Sequence, residues 1–348
     1  MRSTDVDQML PADPSLAPAS TTLSNGDAGG SATPVPVSPA FELAQGVALQ
    51  AVSALADGGL VVSWTWTDRD VTRVAVQRFD TEGNPYGDRL SPFWDYVWGP
   101  VPNVVGRQYT TGDDTGPRPS PLSGNTKGHS NPAAATLPDG SAVFVWEDWW
   151  RDGSESSIYA TRFNSDGSGT HSFPVNTYGT DWGYQWDPTV AALTGGGFVV
   201  TWTSMHQDGD GDGIYGQRYA PDNSRDGGEF RVNTTVAGDQ VQSRAAGLTD
   251  GGFVVTWTQH GYNGVYGQRF AADGAPAGPE FLVGYGGFSA VEALPDGGFL
   301  ITWATTGSAI HGQRYAWDGL PIGDEFLVAY GGYDTDPIVS LDDGSFLI

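Results

Sequence analysis

Hydrophobic and polar positions alternate in short runs along this chain, and one run is written repeatedly. Phe198, Val200 and Trp202 share one face of an extended segment, with Val199 and Thr201 on the other, because side chains of a strand point to opposite sides in turn. The phrase Gly-Gly-Phe-Val-Val-Thr-Trp occupies 196–202 and 251–257 and recurs as Gly-Gly-Phe-Leu-Ile-Thr-Trp at 297–303. Weaker copies stand at 58–64 and 140–146, and a sixth begins at Asp343-Gly344-Ser345-Phe346. Each full copy is followed by a second phrase: Gln77-Arg78-Phe79, Thr161-Arg162-Phe163, Gln217-Arg218-Tyr219, Gln268-Arg269-Phe270 and Gln313-Arg314-Tyr315. Self-similarity at such a period marks an architecture of stacked units.

One unit can be followed in detail. A strand over 188–193 leads through the Gly-rich turn 194–197 to a second strand over 198–203. An Asp/Gly loop at 207–213 leads to a third strand over 214–219, and a polar turn at 221–228 to a fourth over 229–232. Short strands joined by turns are antiparallel. The face opposite the Trp carries no charge in any complete copy, as in Val61 and Ser63, Val143 and Val145, Val254 and Thr256, or Leu300 and Thr302. A strand that tolerates burial on both faces suits a small sheet stacked between two others, as in a propeller blade. The repeated Trp residues stand at 64, 146, 202, 257 and 303; the shortest spacing matches the ~40–50 residues of a four-stranded blade.

The expected fold is therefore all-β, a β-propeller-like array of four-stranded antiparallel blades with five complete units and a sixth truncated at the C-terminus. Residues 1–38, rich in Ala, Pro, Ser, Thr and Gly, read as a disordered leader, since they cannot bury enough apolar surface to offset ordering entropy. Residues 39–348 form the repeat domain, with a long insertion at about 91–131 that lacks regular alternation. Phe41-Glu42-Leu43 aligns with the fourth-strand phrases Glu280-Phe281-Leu282 and Glu325-Phe326-Leu327, so it is expected to supply a fourth strand to the last blade. The sixth unit stops in its second strand, so the sequence reads as a fragment with a C-terminal continuation.

Composition narrows the function classes. The 348 residues carry a net charge of −25, which leaves no basic patch for nucleic acid or for anionic membrane surfaces. There is no Cys, hence neither disulfide nor thiolate metal site. The N-terminus lacks the basic and apolar regions of a secretory signal, and no stretch approaches the ~20 apolar residues of a membrane span.

The phrases Gly-Gly-Phe-Val-Val-Thr-Trp, Ile-Tyr-Gly-Gln-Arg-Tyr and Glu-Phe-Arg-Val-Asn resemble the tandem propeller-like repeats of large secreted bacterial proteins of the RTX-type calcium-binding class. The resemblance spans about residues 40–348. It implies an extracellular or cell-surface location reached without an N-terminal signal peptide; cytoplasmic is the alternative. The chain departs from the class in having no Gly-Gly-x-Gly-x-Asp nonapeptide, the element that carries calcium there.

Three groups of residues carry candidate chemistry. Asp208, Asp210 and Asp212 alternate with Gly, giving hard oxygen ligands of the kind calcium takes, although neither the Glu of an EF-hand nor a matching triplet in other units is present. The bland reading is an acidic hairpin loop. Trp94, Trp98, Trp149, Trp150, Trp182 and Trp186 interrupt the repeat and are assigned to connections between strands, where binding residues concentrate. They suit sugar rings or a partner surface, or else form a local core that packs the loops. The recurring Arg and Trp of the phrases read as scaffold. No zinc spacing of His and no Gly-x-Ser-x-Gly elbow occurs.

These features point first to a non-catalytic binding or adhesion module, with a glycan or cell-surface partner and calcium as the associated ion. The alternatives are spacer repeats without ligand, and a polysaccharide-active hydrolase, which needs a carboxylate cluster with raised pKa in one cleft.

Overall fold

The computed structural model describes residues 22–23, 48–54, 60–68, 71–79, 85–90, 129–149, 156–164, 172–179, 183–260, 264–305, 309–330, 339–340 and 346–347, with side chains within 131–330. Among these residues every regular element is a strand, and no helix is long and apolar enough to cross a membrane. Five four-stranded antiparallel sheets follow one another in chain order, each pairing its strands in sequence. Sheet 1 comprises Ala48–Ala54, Leu60–Asp68, Val71–Phe79 and Pro85–Leu90. Sheet 2 comprises His129–Thr136, Ala142–Asp148, Ser157–Phe163 and Phe173–Pro174. Sheet 3 comprises Gln185–Ala192, Phe198–Met205, Asp212–Tyr219 and Phe230–Arg231. Sheet 4 comprises Gln240–Gly247, Phe253–Gln259, Gly264–Phe270 and Phe281–Tyr285. Sheet 5 comprises Gly287–Ala293, Phe299–Ala304, Ala309–Tyr315 and Pro321–Tyr330.

The repeated phrase forms the second strand of each sheet, and its two faces serve two neighbours. Phe198, Val200 and Trp202 pack with Val143, Val145 and Ile158 of sheet 2. Val199, one residue along, packs instead with Phe253, Val255 and Trp257 of sheet 4, and Val254 then packs with Phe299, Ile301 and Trp303 of sheet 5. Trp146, Trp202, Trp257 and Trp303 are each at most 1 % exposed. A fully buried large apolar side chain contributes roughly 1.5–3 kcal/mol, so these seams dominate stability. The Thr of the phrase faces the same seam through a paired hydroxyl: Thr201 Oγ1 lies 2.9 Å from Ser243 Oγ, and Thr256 Oγ1 lies 2.8 Å from Ser289 Oγ, so neither is buried unsatisfied.

The other phrases are inter-sheet fasteners. Arg162, 6 % exposed, donates to Ser141 Oγ at 2.8 Å and to the Asp139 carboxylate in its own sheet. It reaches on to the Pro221 carbonyl and to Asn223 Oδ1 in the turn of sheet 3. Arg269 and Arg314 pair likewise with Asp250 and Asp296 of their own turns. In sheet 3 that turn position is Gly195, and Arg218 pairs with Asp226 instead. The Glu of the fourth-strand phrase clamps the preceding unit: Glu229 Oε2 accepts from Thr177 N at 2.7 Å, and Glu280 Oε2 from Thr234 N at 2.7 Å. The Asn of that phrase turns inward, with Asn176 and Asn233 accepting from Ile158 N and Ile214 N.

First strands of neighbouring sheets pack against each other, whereas the main partner of each fourth strand is the third strand of its own sheet. The sheets therefore fan outward from a first-strand edge. At that edge the backbones approach closely: a Cβ on Gly247 would sit 1.9 Å from the Ala192 carbonyl oxygen of the sheet before it. Each first strand also carries a β-bulge, and in sheets 2 to 5 a bulge residue has positive φ: Asn131, Asp187, Gln242 and Phe288. Because of this bulge the first strand of sheet 3 starts at Gln185 rather than at the expected 188, which brings Trp186 into a strand.

Beyond sheet 5, Phe346–Leu347 pairs with both Val339–Ser340 and Thr22–Leu23. A segment near the N-terminus thus meets the last strands. That segment lies within the stretch read as a leader; the expected closing segment 41–43 lies outside the described residues, as does most of the insertion.

Gly247→Ala should cost about 1–3 kcal/mol in chemical denaturation, because a backbone carbonyl cannot move aside as a side chain does. Gly228→Ala, which meets no atom within 4 Å, should stay within about 0.5 kcal/mol. Equal stability of the two variants would contradict the close approach of the first strands.

Candidate functional site

The two ends of each sheet differ in their loops. At one end the second strand passes into the third, and the chain enters the next first strand. Sheets 2 and 3 open there into a pocket of about 420 Å³ lined by Asn131, Glu147, Trp149, Ser156, Tyr184, Trp186 and Met205. That volume is in the range of small-molecule sites. Its floor is stapled: Ser156, fully buried, donates its hydroxyl to the Gln185 carbonyl at 2.9 Å and accepts from Gln185 N at 3.1 Å. Met205 N donates to the Tyr184 carbonyl at 2.9 Å, tying the second strand of sheet 3 to the chain that enters it. Trp149 meets Tyr184 edge to face, with ring centroids 6.1 Å apart, a favoured aromatic arrangement.

Glu147 is the charged member, and it is 2 % exposed. Its Oε1 accepts from Asn131 Nδ2 at 2.7 Å and from the Asp187 backbone N–H at 2.8 Å. The bond to Asp187 has a counterpart elsewhere in the repeat. Thr258, which also follows the core Trp, accepts from Phe288 N, the bulge residue of the next sheet, at 3.2 Å. The position after the core Trp is Thr65, Glu147, Thr203, Thr258 and Ala304 in the five units. Only unit 2 puts a carboxylate where the others carry a hydroxyl or a methyl group. Asp148, 3 % exposed, follows it. Asp187 has its carboxyl pushed above the ordinary range, chiefly by burial, with the nearby Arg244 charge opposing. The Glu147 side chain is thereby tied to the backbone of a residue whose own carboxyl is pushed upward by burial.

Of the six Trp residues singled out by sequence, Trp149 and Trp186 meet in this pocket; Trp94, Trp98, Trp150 and Trp182 lie outside the described residues. Trp186 stands in a strand rather than a connection. Glu147 and Asp187 were not expected as site residues. The signal for Glu147 is the break in the repeat, where Trp146-Glu147-Asp148 replaces Trp-Thr-Ser or Trp-Thr-Gln; Asp187 adjoins the pocket through its backbone bond to Glu147.

The Asp triplet sits at the same end of sheet 3, from the loop after Met205 to the start of the third strand, and its members make separate hydrogen bonds. Asp208 Oδ1 accepts from Asp210 N at 3.2 Å, Asp210 Oδ2 accepts from Gly238 N at 3.3 Å, and Asp212 N donates to Asp239 Oδ1 at 3.2 Å. Among the described residues no group of three or more His, Asp or Glu side chains is placed to hold a metal ion. Asp212 is raised to about 6, first by burial and then by the neighbouring Asp239 charge, with His206 and His260 opposing.

No family model matches the chain, and no curated protein matches it. Solved structures do. A Penicillium chrysogenum alpha-L-arabinanase, complexed with arabinobiose, is 14 % identical with a TM-score of 0.57, covering 88 % of each chain. The GH93 alpha-L-arabinofuranosidase of Fusarium graminearum, also seen with arabinobiose, is 12 % identical with a TM-score of 0.57, covering 85 % of each. A protein of unknown function from Dyadobacter fermentans is 11 % identical with a TM-score of 0.55, covering 83 % of this chain and 85 % of its own. At such identities the likeness concerns the fold. It nevertheless corrects the first functional expectation: structures that share this fold over most of its length include glycoside-cleaving enzymes, so the reading as a non-catalytic adhesion module is not retained.

The Asp212 carboxyl gives a pH signature. Its folded pKa of about 6 exceeds the ordinary 3.8, so the folded state holds the proton more tightly. Its contribution to stability is full below about pH 3.8 and is lost as pH rises through about 6. Asp212→Asn should therefore melt higher than the parent above about pH 6, with the difference shrinking toward pH 4. A difference independent of pH would contradict the assignment.

Proposed function

We propose that the five sheets are blades of a β-propeller and that the chain is a polysaccharide-acting hydrolase whose glycan site is the pocket between sheets 2 and 3. The observation that carries this reading is the coincidence, at one seam, of two Trp walls with a buried carboxylate at the point where the repeat is broken. Flat aromatic faces suit the apolar faces of sugar rings. The fanning of the sheets from the first-strand edge supports the propeller, and the two arabinan-related enzymes of like fold support the reaction class.

In this reading Asp187, kept protonated to higher pH by burial, gives its proton to the departing glycosidic oxygen. Two carboxyl groups in contrasting environments divide the acid and anionic roles in glycoside hydrolysis. Glu147 takes the second role: as base it draws a proton from the water that attacks the anomeric carbon, so the sugar gains a hydroxyl as the departing oxygen gains the Asp187 proton. Trp149 and Trp186 hold the ring, and Asn131 fixes the Glu147 carboxylate.

The test is turnover on a panel of polysaccharides, read as new reducing ends. Asp187→Asn and Glu147→Gln should each lower kcat by about 10²–10⁴-fold, with the thermal transition retained. Trp149→Ala should act mainly on KM. Absence of turnover by the parent protein on every polysaccharide would overturn the proposal.

A further inference from the structure

Arg244 breaks the repeat a second time, on the sheet that follows the seam of the first break. It lies in the first strand of sheet 4, opposite Thr256. The corresponding residues opposite Ser63, Val145, Thr201 and Thr302 are Ala51, Ala133, Thr189 and Ala290. Four units therefore place a small uncharged side chain at this position, and one places a guanidinium. The repeat-phrase arginines 162, 218, 269 and 314 are each paired with an Asp. Arg244 is exposed and forms no ion pair among the described residues; its Nη1 donates to the Ser243 carbonyl at 2.8 Å.

Its place in the fold gives this cation a direction. The first strands of sheets 3 and 4 pack side by side at the edge from which the sheets fan. Asp187, on the neighbouring first strand, feels the Arg244 charge, and the Asp187 N–H is bonded to Glu147 in the pocket. A guanidinium without an ion-pair partner among the described residues thus stands at the first-strand edge, on the strand packed against that of Asp187. In a chain of net charge −25, the diffuse field repels anions, so an anionic ligand needs a specific cation to hold it. The guanidinium fork is suited to carboxylate recognition.

Resting on the glycan-site reading above, we propose that the pocket accepts acidic glycans and that Arg244 is the specificity residue, binding the carboxylate of a uronic-acid unit next to the one held by Trp149 and Trp186. Neutral glycans would engage the aromatic walls without it.

The experiment compares binding of oligouronates (galacturonate, mannuronate and glucuronate series) with that of their carboxyl-reduced counterparts by calorimetry, on the whole chain and on Arg244→Ala and Arg244→Lys. The expected result is a preference for one oligouronate, a loss of about 10- to 100-fold for that ligand in Arg244→Ala, a smaller loss in Arg244→Lys, and no change for the reduced form. Equal affinity for charged and reduced ligands, or oligouronate binding untouched by Arg244→Ala, overturns the role of Arg244 while leaving the glycan site standing. Binding of neither class overturns both.

Discussion

Everything in this structure depends on the burial of the second strand on both faces. A sheet of four short strands cannot bury enough surface alone. The phrase Phe-Val-Val-Thr-Trp solves this by giving Phe, the second Val and Trp to one neighbour and the first Val and Thr to the other. Each sheet is thereby both lock and key, and the order of sheets in space follows their order in the chain. The polar phrases fit the same constraint. Arg162 is nearly buried yet satisfied from two sheets, and Glu229 and Glu280 fasten the outer strands to the unit before. Surface ion pairs add little on their own; these contacts bridge one sheet to the next beside the apolar seams.

A scaffold so regular makes its exceptions informative. Where a side chain recurs in every unit, packing accounts for it. Where one unit departs, packing is served elsewhere by an ordinary residue, and the departure calls for another cause. Glu147 keeps the bond that Thr258 makes to the neighbouring bulge, so it satisfies the scaffold and adds a charge the scaffold does not need. The same bulges, with positive φ at Asn131 and Asp187, turn a backbone N–H of one sheet toward the carboxylate of another. Site and scaffold are built from one set of atoms.

The fold was largely legible in the sequence because the period-2 pattern and the recurring Trp report directly on burial. Alternation predicts the second strand of sheet 3 from Phe198, where it begins. It predicts the first strand only from 188, since a bulge leaves no mark in hydrophobic alternation, and so leaves Trp186 in a connection. The site was only half legible. Trp149 and Trp186 stand out by type, but Glu147 is one of 41 acidic residues, and nothing marks it until it is aligned with Thr203 and Thr258. For the Asp triplet, spacing alone does not give the partners: the hairpin sends Asp210 toward Gly238 and sets Asp212 beside Asp239.

The most direct measurement is a crystal structure of the Asp187→Asn protein soaked with oligosaccharide fragments of the polysaccharides in the turnover panel. The account predicts density for a sugar ring between Trp149 and Trp186, with the reacting carbon turned toward Glu147. Density at another seam, or a ring bound with Glu147 shielded behind Asn131 and out of contact, would contradict it.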